Sequence, residues 1–414
     1  MSRRHEVQDS GEGLVAPRGL VPGPHVSERT ILSARIPSGG PSLRVLHLAH
    51  IRWFNAEVQY AVDLASCMRH RGHSPAVLTL TGSPTAKAAR GAGLETYEER
   101  GFNGKGLGAL AMLPAAQRLT HLLQGGRFDV VEVHRPEGLP LIVWACRRAG
   151  VPVVRVRGEM RPVRNDPFNR LLHSRFLSAV VASNHSIETS LRERLGSLPH
   201  LQTIHGGVDP EAFHPEGPSV DLRRELGFPE KAFLVGILGR LGPVKGHSYF
   251  LDAAERVLKS GVSAGFVVLA KEDSPGVTSL RDRLAADPLL RTGVRLTGYR
   301  EDLPQVLRAF DLGVVASVGS EANCRVGLEW MASGVPLLAT RVGVLPDLVE
   351  DGGTGFLVSA ADASALAEKI VYLASRQEVA RRFGAAARDR VLERFTLAHC
   401  AAAHEALIRE LSPR

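Results

Sequence analysis

The sequence has 414 residues, of which 44% are hydrophobic and 5% aromatic, and its formal net charge is +8 at pH 7. This size predicts two domains, and the charge favours anionic partners; no nucleic-acid-binding module or aromatic platform accompanies it, so nucleic acid is not an expected partner. No apolar run approaches the roughly 20 residues that span a bilayer. The start of the sequence lacks a signal-peptide core, and the four cysteines form no metal-ligand or disulfide pattern, so we expect a cytoplasmic protein.

In chain order, the apolar runs predict an extension followed by two α/β domains. Residues 1–41, rich in Gly, Pro, Ser and Arg, form a disordered extension. Residues 42–218 form the first domain, in which helices alternate with strands near Arg44, Val77, Asp129, Val151, Ala179 and Gln202. Residues 219–390 form the second domain, with strands near Phe233, Gly265, Val294, Asp311, Val335 and Phe356.

The densest basic stretch of the first domain, 155–164, begins in a predicted strand. Arg157 and Arg161 could therefore face a ligand cleft and hold an acidic acceptor. A second interpretation is that the following segment, in which Arg170 and Arg175 flank leucines, contacts an anionic membrane surface. Ordinary surface arginines explain the stretch equally well.

A basic turn follows the first strand of the second domain. The apolar run 233–238 ends at Gly239, and Arg240 and Lys245 precede a helix that opens at Gly246. A helix N-terminus attracts anions, so this turn could hold a pyrophosphate. It lacks the order of a Walker loop. Alone, such a turn is usually a solvated loop.

Two carboxylates flank the start of a later helix. Glu321 follows the strand 311–317, at the edge of a parallel sheet where open α/β folds bind ligands, and Glu329 lies about two turns into the helix. A carboxylate accepts hydrogen bonds from vicinal hydroxyls such as those of a sugar or ribose. The N–H groups of Ala322, Asn323 and Cys324 should face the same pocket. Alone, two such glutamates are ordinary surface residues; together with the basic turn they indicate a sugar nucleotide site.

These motifs belong to a set that resembles one protein family. The second half carries Gly-Val-Pro at 334–336, Pro-Asp-Leu-Val at 346–349 and Asp-Gly-Gly-Thr-Gly-Phe-Leu-Val at 351–358, and the first half carries Asp-Val-Val-Glu-Val-His at 129–134 and Ile-His-Gly-Gly-Val-Asp at 204–209. The set is similar to the retaining GT-B glycosyltransferases of family 4. This resemblance implies an α/β fold of two Rossmann-like domains facing a cleft, with residues 391–414 forming a helix that returns to the first domain.

The resemblance also implies roles for residues of the second domain. Arg240 and Lys245 match the residues that bind the donor pyrophosphate, and Gly239 belongs to the same donor-binding turn. Glu321 matches the acidic residue that faces the transferred sugar, and Glu329 matches the one that binds the nucleotide ribose. The amides at 322–324 complete the sugar-donor site.

Further roles and departures concern the cleft and the base. His134 falls where the family places an active-site histidine, and Tyr299 and Arg300 match the base-recognition loop. Where relatives often carry a Gly-Gly pair, this chain has side chains at 50–57, and among them Trp53 and Asn55 are candidate acceptor contacts. Ala-Asn-Cys at 322–324 replaces a common Gly-Phe-Gly type of run.

We therefore expect a retaining, metal-independent glycosyltransferase that takes a nucleotide diphosphate sugar, requires no cofactor, and acts on a saccharide or lipid-linked acceptor in polysaccharide, lipopolysaccharide or glycolipid biosynthesis. It would work in the cytoplasm or at the inner face of the cell membrane. One alternative is a sugar nucleotide epimerase, against which the spacing of Glu321 and Glu329 argues. The other is a non-catalytic carbohydrate-binding protein, which the joint presence of both cations and both carboxylates disfavours.

Overall fold

The computed structural model describes residues 40–53, 55–102, 112–271, 274, 276–298 and 300–412. Within these residues, two parallel β-sheets of seven and six strands carry the fold. Each sheet is covered by helices on both faces. The two Rossmann-like α/β domains predicted above are confirmed; they are called the first and second layers below. Residues 1–39 of the predicted extension, and Tyr299, lie outside the described residues.

The first sheet has the strand order β3-β2-β1-β4-β5-β6-β7. Its strands are β1 (Arg44–Leu48), β2 (Ser74–Leu80), β3 (Glu95–Glu99), β4 (Val130–Val133), β5 (Val153–Arg157), β6 (Ala179–Ala182) and β7 (Leu201–Thr203). Its helices are α1 (Ala56–His70), α2 (Pro84–Gly91), α3 (Leu113–Gly126), α4 (Leu139–Ala149), α5 (Pro167–Leu171), which continues into a π-helical turn (Leu172–Phe176), and α6 (His185–Leu195).

The second sheet has the strand order β10-β9-β8-β11-β12-β13. Its strands are β8 (Phe233–Leu238), β9 (Ala264–Leu269), β10 (Val294–Thr297), β11 (Leu312–Val315), β12 (Leu337–Thr340) and β13 (Gly355–Val358). The helices are α7 (Leu222–Glu225), a 3₁₀ turn (Pro243–Lys245), α8 (His247–Lys259), α9 (Val277–Ala286), α10 (Pro288–Gly293), α11 (Leu303–Leu307), α12 (Arg325–Ala332), α13 (Leu345–Leu348), α14 (Ala363–Ala374), α15 (Gln377–Arg394) and α16 (Leu397–Leu411).

The apolar runs form central strands because both faces of each sheet are covered. In β8, Phe233, Val235 and Ile237 pack into one cluster and Leu234 into the cluster on the opposite face. Alternation along a strand sends successive side chains to opposite faces, so a doubly covered strand reads as a continuous apolar run.

Strand β3 was not expected from the sequence. Its residues, Glu95–Glu99, include three glutamates, and none of them is fully buried. The strand occupies the edge of the first sheet, where charged side chains protect the unpaired backbone from pairing with another chain. Its composition reflects that edge position.

The chain crosses between the two layers twice, once between β7 and β8 and once between α15 and α16, and the two crossings lie side by side. Helix α15 packs into the second domain through Ala387 and Val391, and so does Phe395. The return to the first layer thus begins at Thr396, later than the predicted start at residue 391. Val208, on the outward passage, donates to the carbonyl of Phe395 at 2.9 Å and accepts from the N–H of Leu397 at 3.0 Å.

Helix α16 is fixed to the first layer by apolar contacts and by buried polar contacts, among them an ion pair of Glu405. Cys400, Ala401, Leu407 and Ile408 pack on the face of the first sheet that β1 and β4 share. The guanidinium of Arg71 donates to the Glu405 carboxylate through Nη2 at 2.7 Å and Nε at 3.2 Å. Burial alone would raise the pKa of Glu405, but hydrogen bonds from Arg71, His73 and Arg409 lower it to about 2.

Replacing Glu405 with Gln should lower the free energy of unfolding by about 3–5 kcal/mol, because the Arg71 charge would stay buried without its partner. Glu410→Gln, at an exposed position of the same helix, should change it by less than about 0.5 kcal/mol. Because the folded-state pKa of Glu405 is depressed to about 2, its stabilisation is complete above its ordinary value of 4.5 and disappears as the pH falls toward 2. Urea titrations at pH 7 and pH 3 measure both effects; equal losses for the two variants would contradict the assignment.

Candidate active site

A pocket lies where the carboxyl ends of the two sheets face each other. Six of its lining residues come from the first layer and the seventh from the loop before α12; they are Glu57, Tyr60, His134, Val156, Gly158, Ser183 and Asn323. Because the pocket is shared, a ligand there touches both layers. The predicted residues His134 and Asn323 therefore meet across it.

The basic turn after β8 is fastened to the loop after β11. Gly246 has φ 70°, and a Cβ there would lie 1.8 Å from the carbonyl oxygen of Ala316, so only glycine fits. The N–H of Val318 donates to the carbonyl of Val244 at 2.9 Å. The ammonium of Lys245 is 2.5 Å from Oε1 of Glu321. The two predicted halves of the sugar-donor site are thus one unit.

Glu321 is almost fully buried and held on three sides. The hydroxyl of Ser317 donates to Oε1 of Glu321 at 2.5 Å. The backbone carbonyl of Glu321 accepts from the N–H of Val344 at 2.8 Å. Gly343, with φ 58°, lies so close that a Cβ would approach that carbonyl oxygen to 1.9 Å. The carboxylate therefore has a fixed position at the sheet edge.

The other residues of this edge have distinct settings. Glu329 is buried, and its Oε1 accepts from Nε of Arg325 at 2.7 Å; burial raises the pKa of Glu329, while Arg325 opposes the rise. Cys324 takes the left-handed conformation that begins α12, and burial raises the pKa of its thiol well above 9. Gly239 has φ 149°, and Arg240 is exposed.

The loop that carries Ala322 also contacts the first layer. The carbonyl oxygen of Ala322 accepts from Nδ2 of Asn184 at 2.8 Å and from Oγ of Ser183 at 3.2 Å. Below it, the Asp347 carboxylate accepts from the backbone N–H of His185 and from Nε2 of His205, both at 2.9 Å. These contacts hold the two sides of the pocket together.

The structure gives several predicted acceptor and base residues structural partners. Asn55 caps α1 by accepting from the N–H of Val58 at 3.1 Å. Arg157 is buried, and its guanidinium donates to the backbone carbonyl of Arg161. Burial lowers the pKa of Arg157 to about 10. Arg161 itself is an exposed residue.

The remaining two candidates lie at the surface or in ion pairs. Arg300 pairs with Asp302 at 2.9 Å and also with Glu225. Trp53 is 57% exposed. Of these acceptor and base candidates, Trp53 and Arg161 have no side-chain hydrogen bond or ion pair among the described residues.

Four side chains that the sequence did not single out surround His134. His47 on β1 stands beside Glu132 on β4 in the parallel register, and Glu132 and His134 point to the same face because they are two residues apart. His404 of α16 reaches the Glu132 carboxylate at 2.7 Å, and the Tyr60 hydroxyl lies 2.8 Å from His404 Nε2. The alternation of Glu132 and His134 is visible in the sequence; the arrival of His404 from a distant helix is not.

The ligand atoms of His47, Glu132 and His134 lie within 4.8 Å of one another, close enough to share a cation. The same side chains also contact each other directly: His404 lies 2.7 Å from Oε1 of Glu132, and Nδ1 of His47 lies 3.3 Å from Nε2 of His134. These contacts lower the pKa of Glu132 and raise that of His404 to about 10, each against the effect of burial. We therefore describe the cluster by its hydrogen bonds.

Comparisons with known proteins agree with this geometry. Residues 232–376 match the family model described as glycosyl transferases group 1, and residues 58–212 match that of glycosyltransferase family 4. The phosphatidyl-myo-inositol mannosyltransferase of Mycobacterium leprae is 26% identical over 348 residues, which span 80% of this chain and 87% of that protein.

Other relatives are matched over a smaller part of the chain. The UDP-Gal:alpha-D-GlcNAc-diphosphoundecaprenol alpha-1,3-galactosyltransferase of Escherichia coli is 26% identical over 61% of this chain and 68% of its own. The D-inositol 3-phosphate glycosyltransferase of Mycobacterium sp. (strain JLS) is 33% identical, but the match spans only 55% of its length.

Solved structures show the same fold. A glycosyltransferase from Rickettsia africae superposes with a TM-score of 0.81 at 18% identity, covering 91% of this chain and all of that one. Anabaena Alr3699/HepE in complex with UDP and glucose gives a TM-score of 0.73 at 22% identity, covering 89% of this chain and all of that one. With a family 4 match in its first layer, a group 1 match in its second and this fold throughout, the chain belongs to the GT-B glycosyltransferases of group 1, family 4 type.

Proposed function

We propose that this enzyme transfers a sugar, with retention of anomeric configuration, from a nucleoside diphosphate sugar to a saccharide or lipid-linked acceptor of the cell envelope. The observation that carries the proposal is the meeting of Lys245 and Glu321 at the sheet edge, on the loop whose Asn323 lines the pocket together with His134. A cation for the diphosphate and a carboxylate for the sugar thus lie side by side.

The Lys245–Glu321 pair suggests how the sugar donor would be received. A diphosphate offers Lys245 a stronger anionic partner than one carboxylate, and Arg240 beside it is exposed and ready to bind the same group. Lys245 would then leave Glu321, whose carboxylate would be free to accept from the sugar hydroxyls. As the bond to the sugar breaks, both cations would meet the charge that develops on the leaving diphosphate.

The relatives guide the choice of sugar donor and acceptor. The E. coli relative is named for UDP-Gal and a diphosphoundecaprenol acceptor, and the Anabaena structure holds UDP and glucose. We therefore place UDP-sugars first among sugar donors and lipid-linked or saccharide substrates first among acceptors. A thermal-shift screen of nucleotide sugars, followed by transfer assays, tests this order. Epimerisation of the sugar donor alone would favour the epimerase alternative, and binding without any conversion would favour a non-catalytic protein.

A contact with an anionic membrane surface would bring such an enzyme to a lipid-linked acceptor. Phe168 and Leu171 are 59% and 50% exposed, and the exposed Arg164 and Arg170 lie on the same short segment. Apolar side chains among arginines suit an interface that binds at the surface of a bilayer. In the described part of the chain, no helix is both long and apolar enough to cross one.

For the membrane contact, the double variant Phe168→Ser/Leu171→Ser should reduce binding to vesicles containing about one-third phosphatidylglycerol by at least roughly tenfold, since it removes the side chains that enter the interface. Sedimentation with vesicles measures this. Leu289→Ser, at an exposed apolar position of the second layer, is the matched control. Equal binding by the wild type, the double variant and the control would exclude this surface.

For the sugar-donor site, Arg240→Ala, Lys245→Ala and Glu329→Gln should each weaken binding of free UDP, the two cation variants by about 1.5–3 kcal/mol. Glu321→Gln should leave UDP binding intact or slightly tighter, because UDP has no sugar and Lys245 is released, while turnover falls. Isothermal titration gives the affinities, and Lys231→Ala, exposed before β8, is the control. If Glu321→Gln abolished UDP binding and Glu329→Gln did not, the two roles would be wrong.

Transfer should not require a divalent metal, because fixed cations and helix N–H groups would meet the phosphate charge. We expect full activity in excess EDTA, measured on protein whose metal content is determined in parallel. Activity that disappears with EDTA and returns with Mg²⁺ or Mn²⁺ would show the opposite.

A further inference from the structure

The side chains behind His134 form one continuous chain of polar contacts that begins on α16. His404 contacts Glu132, Glu132 contacts His47, and His47 contacts His134, over distances of 2.7, 3.2 and 3.3 Å. The side chains of His47, Glu132 and His404 are fully buried. Only His134, at the end of the chain, lines the pocket. We call these four residues the histidine relay.

The charge at the inner end of the relay is fixed. Oε1 of the Glu132 carboxylate lies 2.7 Å from Nδ1 of His404, with both side chains fully buried, and this contact lowers the pKa of Glu132 and raises that of His404, each against the effect of burial. An ionised carboxylate can only accept hydrogen bonds. Any polar group close to its second oxygen, Oε2, is therefore favoured as a donor.

That constraint selects the tautomer of His47. Its Nδ1 lies 3.2 Å from Glu132 Oε2, an oxygen that has no hydrogen-bond partner among the described residues. A lone pair on Nδ1 would face that negative charge, whereas an N–H is attracted to it while it donates to His134. The other nitrogen, Nε2, is buried and has no polar partner among the described residues, so nothing there competes for the proton. His47 thus carries its proton on Nδ1.

The tautomer of His134 follows from that of His47. His134 Nε2 lies 3.3 Å from the protonated Nδ1 of His47, so it must accept. It is 4.0 Å from Glu132 Oε2, too far for a direct hydrogen bond. A nitrogen that accepts carries no proton, so the ring of His134 has its single proton on Nδ1. Burial lowers the pKa of His134, which acts in the same direction.

We propose that His404, Glu132 and His47 are positioning residues that hold His134 as a neutral imidazole with its Nδ1–H available to donate to an oxygen of the sugar substrate in the pocket. This role for the sugar rests on the proposed transferase function. The tautomer itself does not. With its proton held on Nδ1, His134 would present a hydrogen-bond donor, and not an acceptor, to the sugar oxygen.

The tautomer is tested directly by long-range ¹H–¹⁵N correlation on the full chain labelled with ¹⁵N-histidine, with the His134 ring assigned by its loss in His134→Ala. We expect a neutral ring protonated at Nδ1 in the wild type and a mixture of tautomers in Glu132→Gln. A ring protonated at Nε2, an imidazolium, or a stoichiometric metal ion in the purified protein would overturn the relay.

Enzyme kinetics test whether the histidine relay contributes to transfer. His47→Asn keeps an amide N–H near the position of Nδ1, whereas His47→Leu removes it, so Leu should lower kcat about tenfold more than Asn, with a smaller effect on the KM for the sugar donor. Glu405→Gln, which loosens α16 without touching the relay, should lower the melting temperature but leave the His134 tautomer and kcat as in the wild type. A loss of kcat in Glu405→Gln as large as in Glu132→Gln would reduce the relay to a structural role. The expected tautomer in a protein without transferase activity would refute the proposed function alone.

Discussion

The carboxyl edge of the second sheet depends on two close backbone approaches. Gly246 lies against the carbonyl of Ala316 and Gly343 against that of Glu321, at distances that leave no room for a Cβ. These contacts bring three loops, after β8, β11 and β12, into one rigid piece. Lys245 and Glu321 face each other because of them, so the sequence spacing of the cation and the carboxylate matters less than the glycines that seat their loops. A side chain at Gly246 would separate the turn of Lys245 from the loop after β11, and one at Gly343 would displace the backbone of Glu321, so either would disturb the candidate sugar-donor site.

The parts of the fold that could be predicted are those whose sequence reflects a uniform environment. All six strands of the second sheet were predicted, including its edge strands β10 and β13, because each keeps apolar or β-branched residues. Strand β3 was missed because three of its five residues are glutamates, which carry no strand signal. Local pattern therefore identified the strands that keep such residues and missed the one that is mostly charged.

The candidate site divides in the same way. Lys245 and Glu321 belong to strand-end loops, whose place at the sheet edge follows from topology. Asn55 and Arg300 follow strands too, yet one caps a helix and the other pairs with carboxylates. Sequence position does not distinguish these uses. His404 is the extreme case, since it lies 272 positions from Glu132 in the sequence. The two meet only because the chain returns to the first layer before α16.

The paired passages at Val208 and Thr396 have a mechanical consequence. Hydrogen bonds between them make a short two-stranded strap, and Gly207 lies so close to Thr396 that a Cβ would come within 2.4 Å of its backbone. A rotation of one domain against the other about this strap would leave the strap in place but would have to break the contacts of Ala322 with Asn184 and of Asp347 with His185. Helix α16 lies beyond the strap and would turn with the first domain. Such a rotation would carry Asn323 away from His134 and open the pocket, while Glu132 and His404 would keep their contact.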